Sequence, residues 1–234
     1  MVRFTKFLLI PLLITAQIRS IENKDIAIGA AKAVGVAALF YGAYYTANLT
    51  SIVAHEAGHA TAGKILYNDP IKLVFGWGSS GVFNQVEDVL FKNKYITVDK
   101  SFFKDYAGFS CGKPLDGENR NRMKNILIDV AGPLAGTAFG ALITKYAPYP
   151  YNIIGAPIII ENLTQLIPIN LDNQSFSDGR DIIKQIFYPN RKIYRKFDIH
   201  RSKAEKILKA KDICNGGIVC AGMGLAMARS LGYY

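Results

Sequence analysis

The sequence predicts an all-α polytopic membrane protein, a bundle of about four to six transmembrane helices with a small β-containing loop region. Three observations lead there. Half of the 234 residues are hydrophobic and a fifth are charged, and the mean hydropathy of +0.14 conceals a segregation. Charges crowd into two polar stretches, residues 68–123 and 180–212, and are nearly missing from several long apolar runs. Two of the three histidines lie together at the end of one such run. No internal repeat or low-complexity linker divides the chain, so it reads as a single membrane-embedded domain. The net charge of +10 needs no nucleic acid, because positive loops beside a lipid bilayer explain the excess and no nucleic-acid signature is present. Cys111, Cys214 and Cys220 form no Cys-x-x-Cys pair and read as reduced, structural cysteines.

At the start, Arg3 and Lys6 flank an apolar stretch through Ile14, the pattern of a secretory signal. Ile14-Thr15-Ala16 is a poor cleavage site, so residues 1–20 are expected as a signal-like segment or an uncleaved first crossing. Residues 26–54 carry Lys32 as their only charge. That length can cross a hydrocarbon core of about 30 Å at about 1.5 Å per residue. Within it, Thr46-Ala47-Asn48-Leu49-Thr50-Ser51 offers a second parsing, a turn whose Asn, Thr or Ser caps a separate helix.

The polar stretch that follows contains β-like pieces at Ile71-Lys72-Leu73-Val74-Phe75 and Lys94-Tyr95-Ile96-Thr97-Val98, with turn glycines at 76, 78 and 81. A small sheet there would offer an edge to an extended peptide. Residues 126–144 are apolar except for Asp129 and contain Ala131-Gly132-Pro133-Leu134-Ala135-Gly136, then Gly140. Small residues at this spacing allow close helix approach, so this helix is expected to pack on the one bearing the histidines. Residues 149–169 form another apolar run, interrupted by Pro157, Glu161, Asn162 and Pro168. A basic segment reads as solvated, and residues 213–231, rich in Gly and Ala, read as a last membrane helix.

The chemistry sits in Val53-Ala54-His55-Glu56-Ala57-Gly58-His59-Ala60. On a helix, positions i and i+4 share a face, so His55 and His59 can reach one Zn²⁺ while Glu56 leans toward its open position. Neutral imidazole suits Zn²⁺, a third protein ligand leaves one place for water, and Glu56 is placed to take that water's proton as general base. A chance motif on a solvated helix is the bland alternative. The small apolar flanks Ile52, Val53, Ala57, Gly58, Ala60 and Ala62 argue against it. A third donor must be His, Asp or Glu. His200 lies among basic residues. Glu161 and Asp129 lie in apolar runs, where an ionisable group is costly and functional by default. Asp178 ranks first, because Gly179 beside it lets a backbone turn present a carboxylate after a membrane segment.

Three pieces in order carry a resemblance: His55-Glu56-Ala57-Gly58-His59, the Ala131-Gly132-Pro133-Leu134 helix, and Asn162-Leu163 through Pro168 to Asp178-Gly179-Arg180. Together, over roughly residues 50–185, they resemble the site-2 protease family of intramembrane zinc metalloproteases. The resemblance implies Asp178 as third zinc ligand and Asn162 as a substrate-positioning residue. Family members commonly place Asp-Gly soon after the proline; here Asn170 and the residues up to Ser177 intervene. Asp172 is closer to the proline, but Asn173 follows it instead of glycine.

Two function classes follow. One is a zinc metalloendopeptidase that hydrolyses a peptide bond in or near the transmembrane segment of a single-span membrane protein. The other is a catalytically inactive membrane protein of the same fold that binds a partner. Glu56 discriminates them, since a structural zinc site has no use for a carboxylate between its histidines. Lys and Arg are abundant in both polar stretches and sparse around Pro148 and Pro150, which puts the active site toward the cytoplasmic face of a multi-pass protein.

Overall fold

The structure is a computed structural model that describes residues 24–68, 71, 73–75, 89–99, 108–110, 121–169, 177–187 and 201–233. The signal-like segment 1–20, Asp172 and His200 lie outside the described residues, as does much of both polar stretches.

Helix α1 spans Lys24–Tyr67 without a break. The alternative of a turn at residues 46–51 is thereby overturned. Of the residues that suggested caps, Thr50 bonds back along the helix instead, its Oγ1 donating to the Thr46 carbonyl at 2.8 Å, as Thr46 Oγ1 does to the Gly42 carbonyl at 2.9 Å. A Ser or Thr inside a helix can always satisfy itself this way, so its cap propensity decides nothing where the flanks favour helix. Helix α2 spans Arg122–Tyr146 and starts where the Asn121 side chain accepts from the N–H groups of Met123 and Lys124. It runs antiparallel to α1: the Tyr67 hydroxyl meets Asn121 and Asn125 at one end, and Gly58 meets Ala131 further along.

The chain then returns. A 3-10 turn, Tyr151–Ile154, leads into the ten-residue helix α3, Gly155–Thr164. The apolar run 149–169 is therefore not one long helix. Pro157 is accepted in the first turn of α3, whereas Pro168 forbids extension beyond it. Helix α4 spans Asp178–Phe187 and helix α5 Arg201–Ser230. Around Phe40, which is fully buried, Ile154, Ile158, Val219 and Ala226 gather residues from α1, the 3-10 turn, α3 and α5 into one core. The Phe40 ring stacks on Tyr151 at 5.5 Å.

Four short strands, β1 (Leu73–Phe75), β2 (Val89–Lys92), β3 (Ile96–Asp99) and β4 (Gly108–Ser110), form a sheet in the order β2-β3-β1-β4. The two β-like pieces of the sequence become β1 and β3, which pair in parallel. Strands β4 and β2 add antiparallel at either side. Leu73 and Phe75 pack on Leu49, Ile52 and Ala60, seating the sheet along α1. Strand β2 escaped sequence reading because it lacks alternation, with all of its residues exposed.

Among the described residues, two helices are long and apolar enough to cross a membrane, α1 over Ile26–Tyr67 and α2 over Arg122–Tyr146. Helix α5 is long but does not meet the same measure, and α3, at about 15 Å, is too short to span alone. Neither crossing candidate is mostly buried, and Leu39, Leu127, Leu134 and Leu142 are all more than half exposed. Cys214 and Cys220 are free, as expected, but exposed rather than packed inside.

The junction of α5 with α1 turns on one glycine. A Cβ at Gly222 would collide with the Phe40 ring, while one at Gly224 would meet nothing. Gly222→Ala should lower stability in detergent by about 1–3 kcal/mol. Gly224→Ala should raise it by up to about 1 kcal/mol through helix propensity. Thermal unfolding of the two variants beside the parent checks both signs.

Candidate metal centre

Helical periodicity puts Ser51, His55 and His59 on one face of α1, each four residues after the last. Asp178, the first residue of α4, comes to meet them. His55 Nε2 lies 3.2 Å from Asp178 Oδ2, His59 Nε2 lies 3.4 Å from Asp178 Oδ1, and the two Nε2 atoms are 3.1 Å apart. These three residues form a group able to hold a metal ion. Of the candidate third donors among the described residues, Asp178 is thus the one brought to the histidines. Glu161 points elsewhere, to Lys211 Nζ at 2.6 Å. Asp129 lies near His59 and Asp178 but outside the group, and its Oδ2 is buried without a hydrogen-bond partner.

The far side of each imidazole fixes its tautomer. His59 Nδ1 is 2.7 Å from the carbonyl oxygen of Ile128, which can only accept. Nδ1 must therefore carry the proton, leaving the Nε2 lone pair facing the group. His55 Nδ1 is 2.9 Å from Asn162 Oδ1. The amide cannot be reversed, because its Nδ2 donates to the Ile158 carbonyl at 2.9 Å and to Ser51 Oγ at 2.8 Å. His55 Nδ1 is then a donor as well. Two imidazole lone pairs and a carboxylate converge within hydrogen-bond distance, an arrangement that repels itself unless a cation or protons occupy the middle. Burial alone would raise the Asp178 carboxyl; when protons occupy the middle, hydrogen bonds from His55 and His59 outweigh burial and lower it to about 2. It is a carboxylate, the form that binds metal.

Glu56 is 8 % exposed and close enough to His59 to act on it electrostatically. Asn162 is 4 % exposed with both amide hydrogens and one oxygen lone pair committed to protein groups. What the structure displays for it is a hold on His55. Sequence reading passed over Ser51 and the Ile128 carbonyl. Ser51 was findable, since it shares the face of both histidines.

Helix α2 supplies space. A Cβ at Gly132 would overlap the His59 ring, and one at Gly136 would overlap the Asn162 amide. On α1, a Cβ at Gly58 would stand 2.5 Å from the Ala131 carbonyl oxygen. Gly179 behaves likewise: it is helical, and a Cβ there would strike the Leu166 carbonyl. Asp-Gly is thus required for closeness, not for the tight backbone turn that the sequence suggested. Its N–H donates to the Gln165 carbonyl at 2.8 Å. Just before it, Ser177 ties α4 to the end of the returning segment: Ile169 N–H donates to Ser177 Oγ at 2.9 Å, and Ser177 N–H to the Ile169 carbonyl at 3.3 Å.

No protein-family model, curated protein or solved structure matches this chain. The reading of the site rests on its own geometry.

Asp178→Ala should abolish metal binding, while Glu161→Ala, which removes no donor, should still take up one metal ion at saturation. Gly132→Ala and Gly136→Ala should each weaken metal binding by about tenfold or more, the effect expected when the groups that orient a ligand are displaced. Gly42→Ala, where a Cβ meets nothing, should not. Metal content after dialysis against graded chelator separates these outcomes.

Proposed function

We propose that this chain is an intramembrane zinc metalloendopeptidase that hydrolyses peptide bonds in or near the transmembrane segments of single-span membrane proteins. The observation that carries the reading is the convergence of His55, His59 and Asp178 beside Glu56, on a helix long and apolar enough to cross a membrane. The resemblance to site-2 proteases in motif order points the same way. The donor set suits zinc: two imidazoles and one carboxylate are its usual catalytic ligands, whereas calcium and magnesium prefer oxygen throughout. Tetrahedral donors about 2.0–2.1 Å from Zn²⁺ stand about 3.3 Å from one another. The observed separations are 3.1, 3.2 and 3.4 Å.

When bound, zinc supplies Lewis acidity, lowering the pKa of a water and polarising the scissile carbonyl. Glu56 takes a proton from the attacking water as its oxygen bonds to the carbonyl carbon. The same carboxyl group then gives that proton to the amide nitrogen as the C–N bond breaks. Asn162 and the Ile128 carbonyl hold the imidazoles in the Nδ1–H form, so both lone pairs remain available at Nε2. A non-catalytic metal site has no need of a carboxylate between its two histidines.

In this reading the protein is multi-pass, with its site toward the cytoplasmic face. The returning segment carries the chain from Tyr149 back to Asn162, level with Ser51 and His55. Lys64, Lys92, Lys94, Arg122 and Lys124 all lie in the stretch joining the site-bearing ends of α1 and α2, where positive charge favours the cytoplasm.

Purified in detergent, the parent should bind one zinc and cleave membrane-spanning peptides until a chelator is added. Glu56→Gln should keep the zinc and lose cleavage by about 10²-fold or more. Undiminished cleavage would sink the mechanism. For topology, single cysteines at positions 92 and 196 in a cysteine-free background should be shielded from an impermeant reagent in intact cells, and one at 149 should react. The reverse pattern would overturn the orientation.

A further inference from the structure

Lys211 is an ion-pair partner at an unexpected place. It lies on α5, only 12 % exposed, with Nζ 2.7 Å from Glu161 Oε1 and 2.6 Å from Oε2. Asp212 Oδ1 is at 4.0 Å, the limit of an ion pair, and the Tyr44 hydroxyl lies near both carboxylates. The Glu161 side chain is 36 % exposed, and a pair half in water adds little net stability, because solvent screens the attraction and burial of the lysine offsets the rest. Its directional geometry is what remains.

Glu161 immediately precedes Asn162, so their side chains leave α3 about 100° apart around the helix axis. Asn162 faces α1 and α2, fastened to Ser51 and His55 and seated over Gly136. Glu161 faces α5 and is fastened to Lys211. Helix α3 has only ten residues. One polar anchor leaves such a helix free to roll; two on different faces do not. A roll of about 10° moves a side-chain tip by about 1 Å at the radius of a helix surface. That is enough to undo the 2.9 Å contact between Asn162 and His55. Helix α5 meanwhile packs on α1, α3 and the 3-10 turn, supplying none of the three donors itself.

We propose that Lys211 is a positioning residue for the metal centre: through Glu161 it sets the rotation of α3 and thereby holds the Asn162 amide against His55. This rests on His55, His59 and Asp178 binding a metal, and not on proteolysis. It makes α5 a remote determinant of ligand geometry.

The test uses the full chain in detergent with Co²⁺ as probe, its visible absorption reporting ligand geometry and its titration reporting affinity. Lys211→Met, Glu161→Gln and Asn162→Ala should each weaken Co²⁺ binding by about tenfold and alter the visible band. Lys211→Arg should behave as the parent. In the Asn162→Ala background, Lys211→Met should have no further effect, because the path it acts through is gone. A merely structural lysine would weaken binding equally in both backgrounds, and that result overturns the proposal. Parental affinity and spectrum in Lys211→Met overturns it too. Should Lys211→Met fail to fold, the exchange of Glu161→Lys with Lys211→Glu decides: recovery of the parental band supports the pair, and its loss refutes it. A parent that takes up no Co²⁺ would refute the metal centre itself, and this proposal with it. Parental uptake with unperturbed variants would refute the positioning role alone.

Discussion

The distance between α1 and α2 governs everything else in this molecule. A histidine ring on one helix can be gripped by a backbone carbonyl of the other only if the two backbones nearly touch, and an ordinary side chain at the contact would prevent it. Gly58 on α1 and Gly132 and Gly136 on α2 remove that obstacle. With the obstacle gone, the His59 ring fits over Gly132 and its Nδ1 reaches the Ile128 carbonyl. Asn162 fits over Gly136 by the same means. In an apolar medium, packing of this kind is also what holds helices together, since no hydrophobic effect drives them to associate.

A second constraint acts on polar groups. Between apolar helices each donor or acceptor needs a protein partner. Thr46, Thr50 and Thr144 satisfy themselves on the carbonyl four residues earlier. Asn162 does the opposite, spending its amide on three groups, two of them on α1, and so linking α3 to α1. That difference separates polar residues that are merely tolerated from those that specify a geometry. Asp129 fits neither description, since one of its oxygens is buried without a partner, and we have no physical account of it.

Much of the donor group was legible in the chain because helix periodicity is a local property: His55, Glu56 and His59 sit in one turn and need no tertiary information. Asp178 required more. Residue type and its glycine neighbour singled it out, but the stated cause, a tight turn, was wrong, and the true one depends on the Leu166 carbonyl, which only the fold brings near. The strands at β1 and β3 showed through their β-branched and aromatic residues, whereas β4 is only Gly-Phe-Ser and carries no pattern to read. The 149–169 run could be read as apolar and broken by proline, but not as a ten-residue helix returning to α1, because that depends on contacts Asn162 makes only in the fold. Lys211 was read as one of many cations in a solvated stretch, since nothing local distinguishes a lysine that faces a glutamate 50 positions away.

The tie between Ile169 and Ser177 changes how the unusual spacing before Asp178 should be understood. Both backbone and hydroxyl bonds clasp these two residues, so the chain leaves and comes back at a single point. The clasp places the carboxylate, so the number of residues between Ile169 and Ser177 is decoupled from its position. Closing a longer excursion costs only slightly more entropy, about 0.6 kcal/mol for each doubling of length. The spacing before Asp178 is thus open to editing: residues could be gained, lost or replaced by a foreign peptide between the clasped pair while the carboxylate next to the clasp stays where it is.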